Sequence, residues 1–197
     1  TYPNSPEFYQ EIRALDRDAE IFASLSSVEK AARFIYLNKT CFNGLYRVNK
    51  KGHFNASFGK YKNPKICDEE TLRDVSKYLN EAEVDFRVGD FERCVEGAVG
   101  GDFVYFDPPY VPLTATSSFT RYTAGGFDLE DQMRLRNVVD DLTQRGVFVM
   151  VSNSSSPLVA GLYVNYRIEA VQANRRVNTK GTGRGKIDET LIMNYDF

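Results

Sequence analysis

Tryptophan is absent from the 197 residues, histidine occurs once and cysteine three times. The lone His53 sets aside His-rich metal sites and the HExxH zinc motif. Cys41, Cys67 and Cys94 lie far apart with no C-x-x-C pair, so they read as reduced thiols of a cytosolic protein rather than a disulfide framework or zinc site. No apolar run approaches the ~20 residues that a membrane helix needs, and Val147–Val151 is among the longest. No charged-then-apolar leader opens the residues given, so they lend secretion no support. What remains is a globular composition, 42% hydrophobic and 26% charged, with one domain's worth of length or one domain plus an inserted lobe.

The net charge of −2 by itself argues against a nonspecific polyanion binder. The distribution of charge says more. Lys39, Arg47, Lys50, Lys51, Lys60, Lys62 and Lys65 fall in one stretch without an acid, and Arg175, Arg176, Lys180, Arg184 and Lys186 fall in another. All 27 acids lie outside both. Two basic stretches on an acidic body suit a nucleic-acid binder that reads a limited site. The first stretch interleaves Phe42, Tyr46, Phe54, Phe58 and Tyr61, whose faces can stack on or wedge between bases while the cations hold phosphates.

Hydrophobic spacing predicts a helix over 8–23 through Phe8, Ile12, Leu15 and Ala19. A second begins at the Ser26–Glu29 capping box, with Val28, Ala31, Ala32 and Ile35 on its inward face. Tyr46–Val48 followed by Asn49-Lys50-Lys51-Gly52 predicts a basic β-hairpin within 42–62. Asp68 caps a third helix with Leu72, Val75 and Leu79 inward. Strands are expected at Val84–Val88, Phe103–Phe106, Val147–Val151 (as a centre buried on both faces), Tyr166–Val171 and Glu189–Tyr195. A long helix runs from Asp128 through Met133, Val138, Val139 and Leu142 to a stop at Gly146. Strand–helix–strand alternation in the second half implies an α/β sheet of Rossmann type, preceded by a mainly helical lobe; the expected domains are 1–82 and 83–197.

Asp107-Pro108-Pro109-Tyr110 is the sharpest motif. It follows an apolar strand, at the carboxyl end where open α/β sheets place ligands. Two consecutive prolines cannot continue a ladder, and they project the flanking Asp and Tyr rigidly.

This tetrad resembles the catalytic signature of amino-group methyltransferases that use S-adenosylmethionine. The longer string DFVYFDPPYVPLTATSSFTRYTAGGF is similar to the Dam-type DNA adenine methyltransferases, as is YLNKTCFNGLYRVNKKGHFNASFGKYKNPKI with its FNG-L-x-R-x-N, G-x-F-N and FG-x-Y elements. The resemblance runs over nearly the whole chain. It implies a methyltransferase core (83–197) and a DNA-recognition lobe (1–82), S-adenosylmethionine as methyl donor without a metal, and double-stranded DNA as partner. Asp107 and the Pro108 carbonyl would accept the amino hydrogens of a flipped adenine, with Pro109 holding the turn and Tyr110 stacking on the base. Asp90, Phe91 and Asp107 would meet the cofactor, although Asp90 also reads as a helix cap with Phe91 in the core. Phe42 would intercalate, Asn43 would fill the vacated space, and Arg47 would read a guanine; Lys50, Lys60 and Lys62 complete the DNA-binding set.

The implied target is a short GATC-like site, but Ser57 stands where relatives that read GATC usually carry Pro. The glycines of Gly181–Gly185 precede a strand rather than a helix and read as a flexible basic loop, not a cofactor turn. The family's lysine/tryptophan-containing opening and its F-x-G-G-G turn are not found. The chain is therefore expected to be a fragment lacking roughly the first third and binding the cofactor poorly alone. Its setting is expected to be the cytoplasm of a bacterium or phage host, as a monomer or weak dimer, with a cognate restriction endonuclease as a candidate partner. Asp107 does not by itself separate adenine from cytosine or a protein amide. An RNA or protein-amide methyltransferase and a non-catalytic DNA-binding fragment stay open as alternatives.

Overall fold

The computed structural model describes residues 2–113, 127–174 and 186–196. Arg175, Arg176, Lys180, Arg184 and the Gly181–Gly185 run lie outside them, as does most of the string that follows Leu113. Two compact units divide at Phe86, Thr1–Phe86 and Arg87–Phe197.

In the first unit the expected helix over 8–23 is interrupted. Pro6–Ala14 (α1) gives way to a short 3-10 turn, and Ala19–Ser24 (α2) starts afresh because the Asp18 carboxylate caps the N–H groups of Glu20 and Ile21. Ser27–Thr40 (α3) forms behind the full capping box, Ser26 Oγ accepting from the Glu29 N–H at 3.3 Å and Glu29 Oε2 accepting from the Ser26 N–H at 2.8 Å. Its inward face is not the expected one. Arg33, Tyr36, Leu37 and Thr40 are buried, whereas Val28 is 78% exposed. Tyr9 and Tyr36 fill the centre with Leu37, Cys41, Phe54 and Ala56, and two tyrosines with hydroxyls on carbonyls replace the aliphatic stripe.

The hairpin turn forms. Asn49 Oδ1 accepts from the N–H groups of Lys51 and His53, Gly52 takes φ of 81°, and Val48 bridges Phe54 in antiparallel sense. Arg33 pins this segment: it pairs with Asp16 at 2.9 Å, and Asp16 accepts the Phe54 N–H at 2.8 Å. Glu69–Glu81 (α4) begins at the expected Asp68 cap, yet Leu72 and Val75 stand 42% and 48% exposed. Neither core cluster takes in a residue of α4, so its apolar face lies outward among the described residues.

The second unit is an α/β fold. Its elements are Phe91–Cys94 (α5), Phe103–Phe106 (β1), Leu129–Gln144 (α6), Phe148–Ser154 (β2), Pro157–Leu162 (α7), Arg167–Asn174 (β3) and Lys186–Met193 (β4). The mixed sheet has the order β1-β2-β4-β3, with β1 and β2 parallel and the other pairs antiparallel. α6 is the crossover that parallel pairing demands, and Gly146 at φ of 77° ends it. Leu135, Val139 and Leu142 of α6 and Val159 of α7 pack on Phe106, Val149, Val151 and Ile192.

Two expectations fail here. Val84–Val88 is not a strand: the segment takes no strand conformation among the described residues, and Val88 and Phe86 are 104% and 75% exposed. β2 is not buried on both faces. Val149 and Val151 are buried, but Phe148 is 48% exposed, and Phe103 and Tyr105 share its open face, because α6 and α7 pack on one side only.

Leu142→Ala should therefore cost about 2–5 kcal/mol in urea unfolding, whereas Val28→Ala, on the outward face of α3, should change stability by no more than about 0.5 kcal/mol. Equal costs at the two positions would contradict this placement of the core.

Candidate functional site

Asp107 leaves the carboxyl end of β1 beside the point where β2 continues into Ser152, Asn153 and Ser154. Ser152 Oγ donates to Asp107 Oδ1 at 2.7 Å, fixing one oxygen of the carboxylate. Pro108 and Pro109 follow half-buried, and Tyr110 turns its hydroxyl toward β4, donating to Glu189 Oε2 at 3.3 Å. Burial, above all, pushes the Tyr110 phenol up to about 12; the nearby charges of Glu189 and Asp107 act in the same direction.

A cavity of about 460 Å³ opens beside the tetrad, lined by Asp90, Phe91, Phe106, Asp107, Pro108, Pro109 and Phe127 among others. Phe91 meets Phe106 edge-on at 6.5 Å and Phe127 at 6.0 Å, giving the cavity an aromatic wall. Asp90 caps α5 through the Glu92 N–H at 3.1 Å, and Arg134 binds both of its oxygens at 3.0 Å. That guanidinium holds the Asp90 carboxyl below the usual range, and it also reaches Glu92 and Asp131 while lying 5.0 Å from the Phe91 ring. The cap reading of Asp90 is thus a geometric fact, and the residue also lines the cavity. Asp90, Phe91, Asp107, Pro108 and Pro109 share this space; Tyr110 lies beyond its lining.

In the first unit, the chain leaving α3 enters a single 3-10 turn, Phe42–Gly44, whose Asn43 adopts φ of 56°. The turn is tied down on three sides. The Phe42 N–H donates to Ser57 O at 2.7 Å, the Asn43 N–H to the Tyr61 hydroxyl at 3.0 Å, and Asn38 Nδ2 to Gly44 O at 2.8 Å. Phe42 remains 47% exposed, while Asn43 Nδ2 is buried without a partner among the described residues. Gly59 lets this approach happen: a Cβ there would stand 2.7 Å from the Cys41 carbonyl oxygen. Lys60 follows at φ of 56°, just after the Gly59 N–H donates to Thr40 O at 2.8 Å beside the Cys41–Phe58 bridge. Arg47 sits on the hairpin, its Nε donating to Asn55 Oδ1 at 2.7 Å and Nη2 to the Asn55 carbonyl at 2.9 Å. Lys50 and Lys62 are exposed.

Sequence reasoning passed over Arg134, Gln132, Glu189 and Asn55. Gln132 and Asn153 are 2% and 0% exposed, and such burial of amides was signalled only by polar residues within apolar stripes. Among the described residues, no group of three or more His, Cys, Asp or Glu side chains could hold a metal, and no helix is long and apolar enough to cross a membrane.

The family model of the D12 class N6 adenine-specific DNA methyltransferases matches residues 1–177. The chain is 51% identical to a Type II methyltransferase of Lactococcus lactis subsp. cremoris over 98% of its length and 67% of that relative. It is 48% identical to a Type II methyltransferase of Methanocaldococcus jannaschii, covering 96% of this chain and 65% of the relative. A DNA adenine methylase of Serratia marcescens is 34% identical over 98% of this chain and 68% of its own. The chain thus spans about two thirds of the length of these relatives.

Glu189→Gln should lower the Tyr110 pKa from about 12 but leave it above the ordinary 10.0, because burial is the larger cause. Ultraviolet titration read against Tyr110→Phe isolates the signal. Since the folded value is the raised one, the stability linked to this proton is fully present below pH 10 and is lost as pH rises through about 12. An unmoved titration in Glu189→Gln would remove the coupling between the two side chains.

Proposed function

The chain belongs to the D12 class N6 adenine-specific DNA methyltransferase family, and from that premise we propose that it transfers a methyl group from S-adenosylmethionine to the exocyclic amine of an adenine turned out of a short duplex site. The observation that carries the reading is the Asp107–Tyr110 tetrad at the carboxyl end of β1, opening on a cavity walled by Phe91, Phe106 and Phe127. The cavity suits the cofactor. Aromatic rings can flank an adenine, the carboxylates of Asp90 and Asp107 can accept from hydroxyl or amine donors, and their negative charge favours a sulfonium. When bound, S-adenosylmethionine supplies an electrophilic methyl group.

The remaining chemistry falls to the protein. The adenine amine is a poor nucleophile because its lone pair is delocalised into the ring. Asp107 Oδ2 and the Pro108 carbonyl accept its two hydrogens, while Ser152 holds Oδ1 and so sets the plane of the carboxylate. Two acceptors at this point draw the nitrogen toward tetrahedral geometry and stabilise the positive charge that develops on it. Tyr110 stacks on the base.

For recognition, Phe42, left 47% exposed, enters the base stack, and Asn43 fills the space the adenine vacates. Arg47 reads a guanine with the end of the fork that Asn55 leaves free, and Lys50, Lys60 and Lys62 hold phosphates. The relatives named Type II methyltransferase support a place in a restriction–modification system.

In the full chain, Asp107→Ala should abolish methyl transfer and leave DNA affinity within a few-fold, since its acceptor acts mainly in the transition state. Normal methylation by this variant would defeat the mechanism. Arg47→Ala should lose ~1–3 kcal/mol of discrimination at one base pair, whereas Lys60→Ala should weaken all sequences alike and flatten the salt dependence of binding. Identical behaviour of the two variants in binding titrations would remove the division between base reading and phosphate contact.

A further inference from the structure

Each peptide group flanking Tyr110 is held by a buried side-chain amide. Gln132 of α6, 2% exposed, donates from Nε2 to the Pro109 carbonyl at 3.0 Å. Asn153 of β2, 0% exposed, accepts the Val111 N–H on Oδ1 at 3.0 Å and the Ser154 N–H at 2.8 Å. The two amides then join, Asn153 Nδ2 donating to Gln132 Oε1 at 3.2 Å. Their orientations follow from the backbone alone. A carbonyl only accepts and an N–H only donates, so Gln132 must offer its nitrogen and Asn153 its oxygen, and the ends left over are complementary.

This arrangement answers a defect of the tetrad. Pro108 and Pro109 carry no N–H, so the loop has no backbone donor of its own between Asp107 and Tyr110. Its geometry must be imposed from outside. Gln132 also stands on the stripe of α6 that holds Leu135, Val139 and Leu142, where an apolar side chain would pack without the desolvation that an amide suffers.

We propose that Gln132 and Asn153 are positioning residues for methyl transfer, a two-amide clamp that fixes the peptide groups on both sides of Tyr110 and thereby aims the Asp107 carboxylate, the Pro108 carbonyl and the Tyr110 ring at one base. The inference rests on the reading of the tetrad as the amine-binding element. Neither clamp residue touches the substrate. Each acts through backbone, so its loss should misplace the acceptors by fractions of an ångström rather than remove them, and kcat should suffer while binding persists.

Gln132→Met keeps the volume and removes the donor to Pro109. Gln132→Glu keeps the shape and turns an oxygen toward that carbonyl. In the full chain, both should lose roughly ten- to a hundredfold in kcat, with KM for DNA and for S-adenosylmethionine changed only a few-fold. A fluorescent purine analogue at the target position should show weakened stacking in the bound complex. Thermal unfolding of Gln132→Met should stay cooperative and within a few degrees of wild type. Wild-type kcat in Gln132→Met overturns the proposal. So does a parallel fall of kcat, both affinities and thermal stability in both variants, which marks the pair as ordinary core. A wild-type chain that binds DNA and cofactor but transfers no methyl group defeats the functional reading itself, and that outcome is seen before any variant is compared.

Discussion

The parallel pairing of β1 with β2 is the constraint on which the candidate active site depends. With Phe103 opposite Phe148 and Phe106 opposite Val151, the parallel ladder ends where β1 does, and the next residue along each chain, Asp107 after β1 and Ser152 within β2, meets the other at 2.7 Å. Antiparallel pairing would put the two carboxyl ends at opposite ends of the strands. The register is set at the amino ends. The Gly101 N–H donates to Gly146 O at 3.0 Å and the Phe148 N–H to Asp102 O at 2.8 Å, a close approach in which Gly100 has the Arg145 carbonyl 3.0 Å from where a Cβ would stand. Turn chemistry at one end of the strands thus decides which side chains meet at the other.

In the first unit a different kind of constraint operates. Among the described residues no extended ladder holds the basic segment, only the isolated bridges Cys41–Phe58 and Val48–Phe54. Its place comes instead from buried polar contacts. Arg33 reaches the carbonyls of Ile12 and Arg13 and pairs with Asp16, and Asp16 takes the Phe54 N–H. An arginine 8% exposed would be costly alone, but its neighbours satisfy it, and the same contacts join α1, α3 and the hairpin. With the backbone secured in this way, Phe42 can be left half-exposed at a turn that does not depend on its side chain for stability.

Features that depend on a few consecutive residues were legible in the sequence. The Ser26–Glu29 capping box, the Asp68 cap, the Gly146 stop and the tetrad at a strand end all stand where local chemistry puts them. Features that depend on what packs against an element were not. The 3.6-residue pattern of Leu72, Val75 and Leu79 specifies a helix face but not a neighbour for it, and the apolar run of β2 does not reveal that one of its faces is left open. Val84–Val88 has the residue types of a strand, but strands are made by a ladder, and the segment forms no strand among the described residues.

The candidate site divides along the same line. Residues that would touch ligands, such as Asp107, Tyr110, Phe42 and Arg47, stand in compact motifs, because a reacting group must be flanked by the backbone that aims it. Residues that hold those groups are scattered: Gln132 lies on α6, Ser152 and Asn153 on β2, Glu189 on β4. Their trace in the sequence is a polar side chain at a position whose periodicity asks for an apolar one, as with Gln132 ahead of Leu135, Val139 and Leu142. Such a violation costs stability unless every polar atom is paired, so its survival in a core points to a constraint other than packing. The violation does not say which group is being held. That follows only once the parallel strands and their crossover helix bring Gln132 within 3.0 Å of Pro109 and Asn153 within 3.0 Å of Val111.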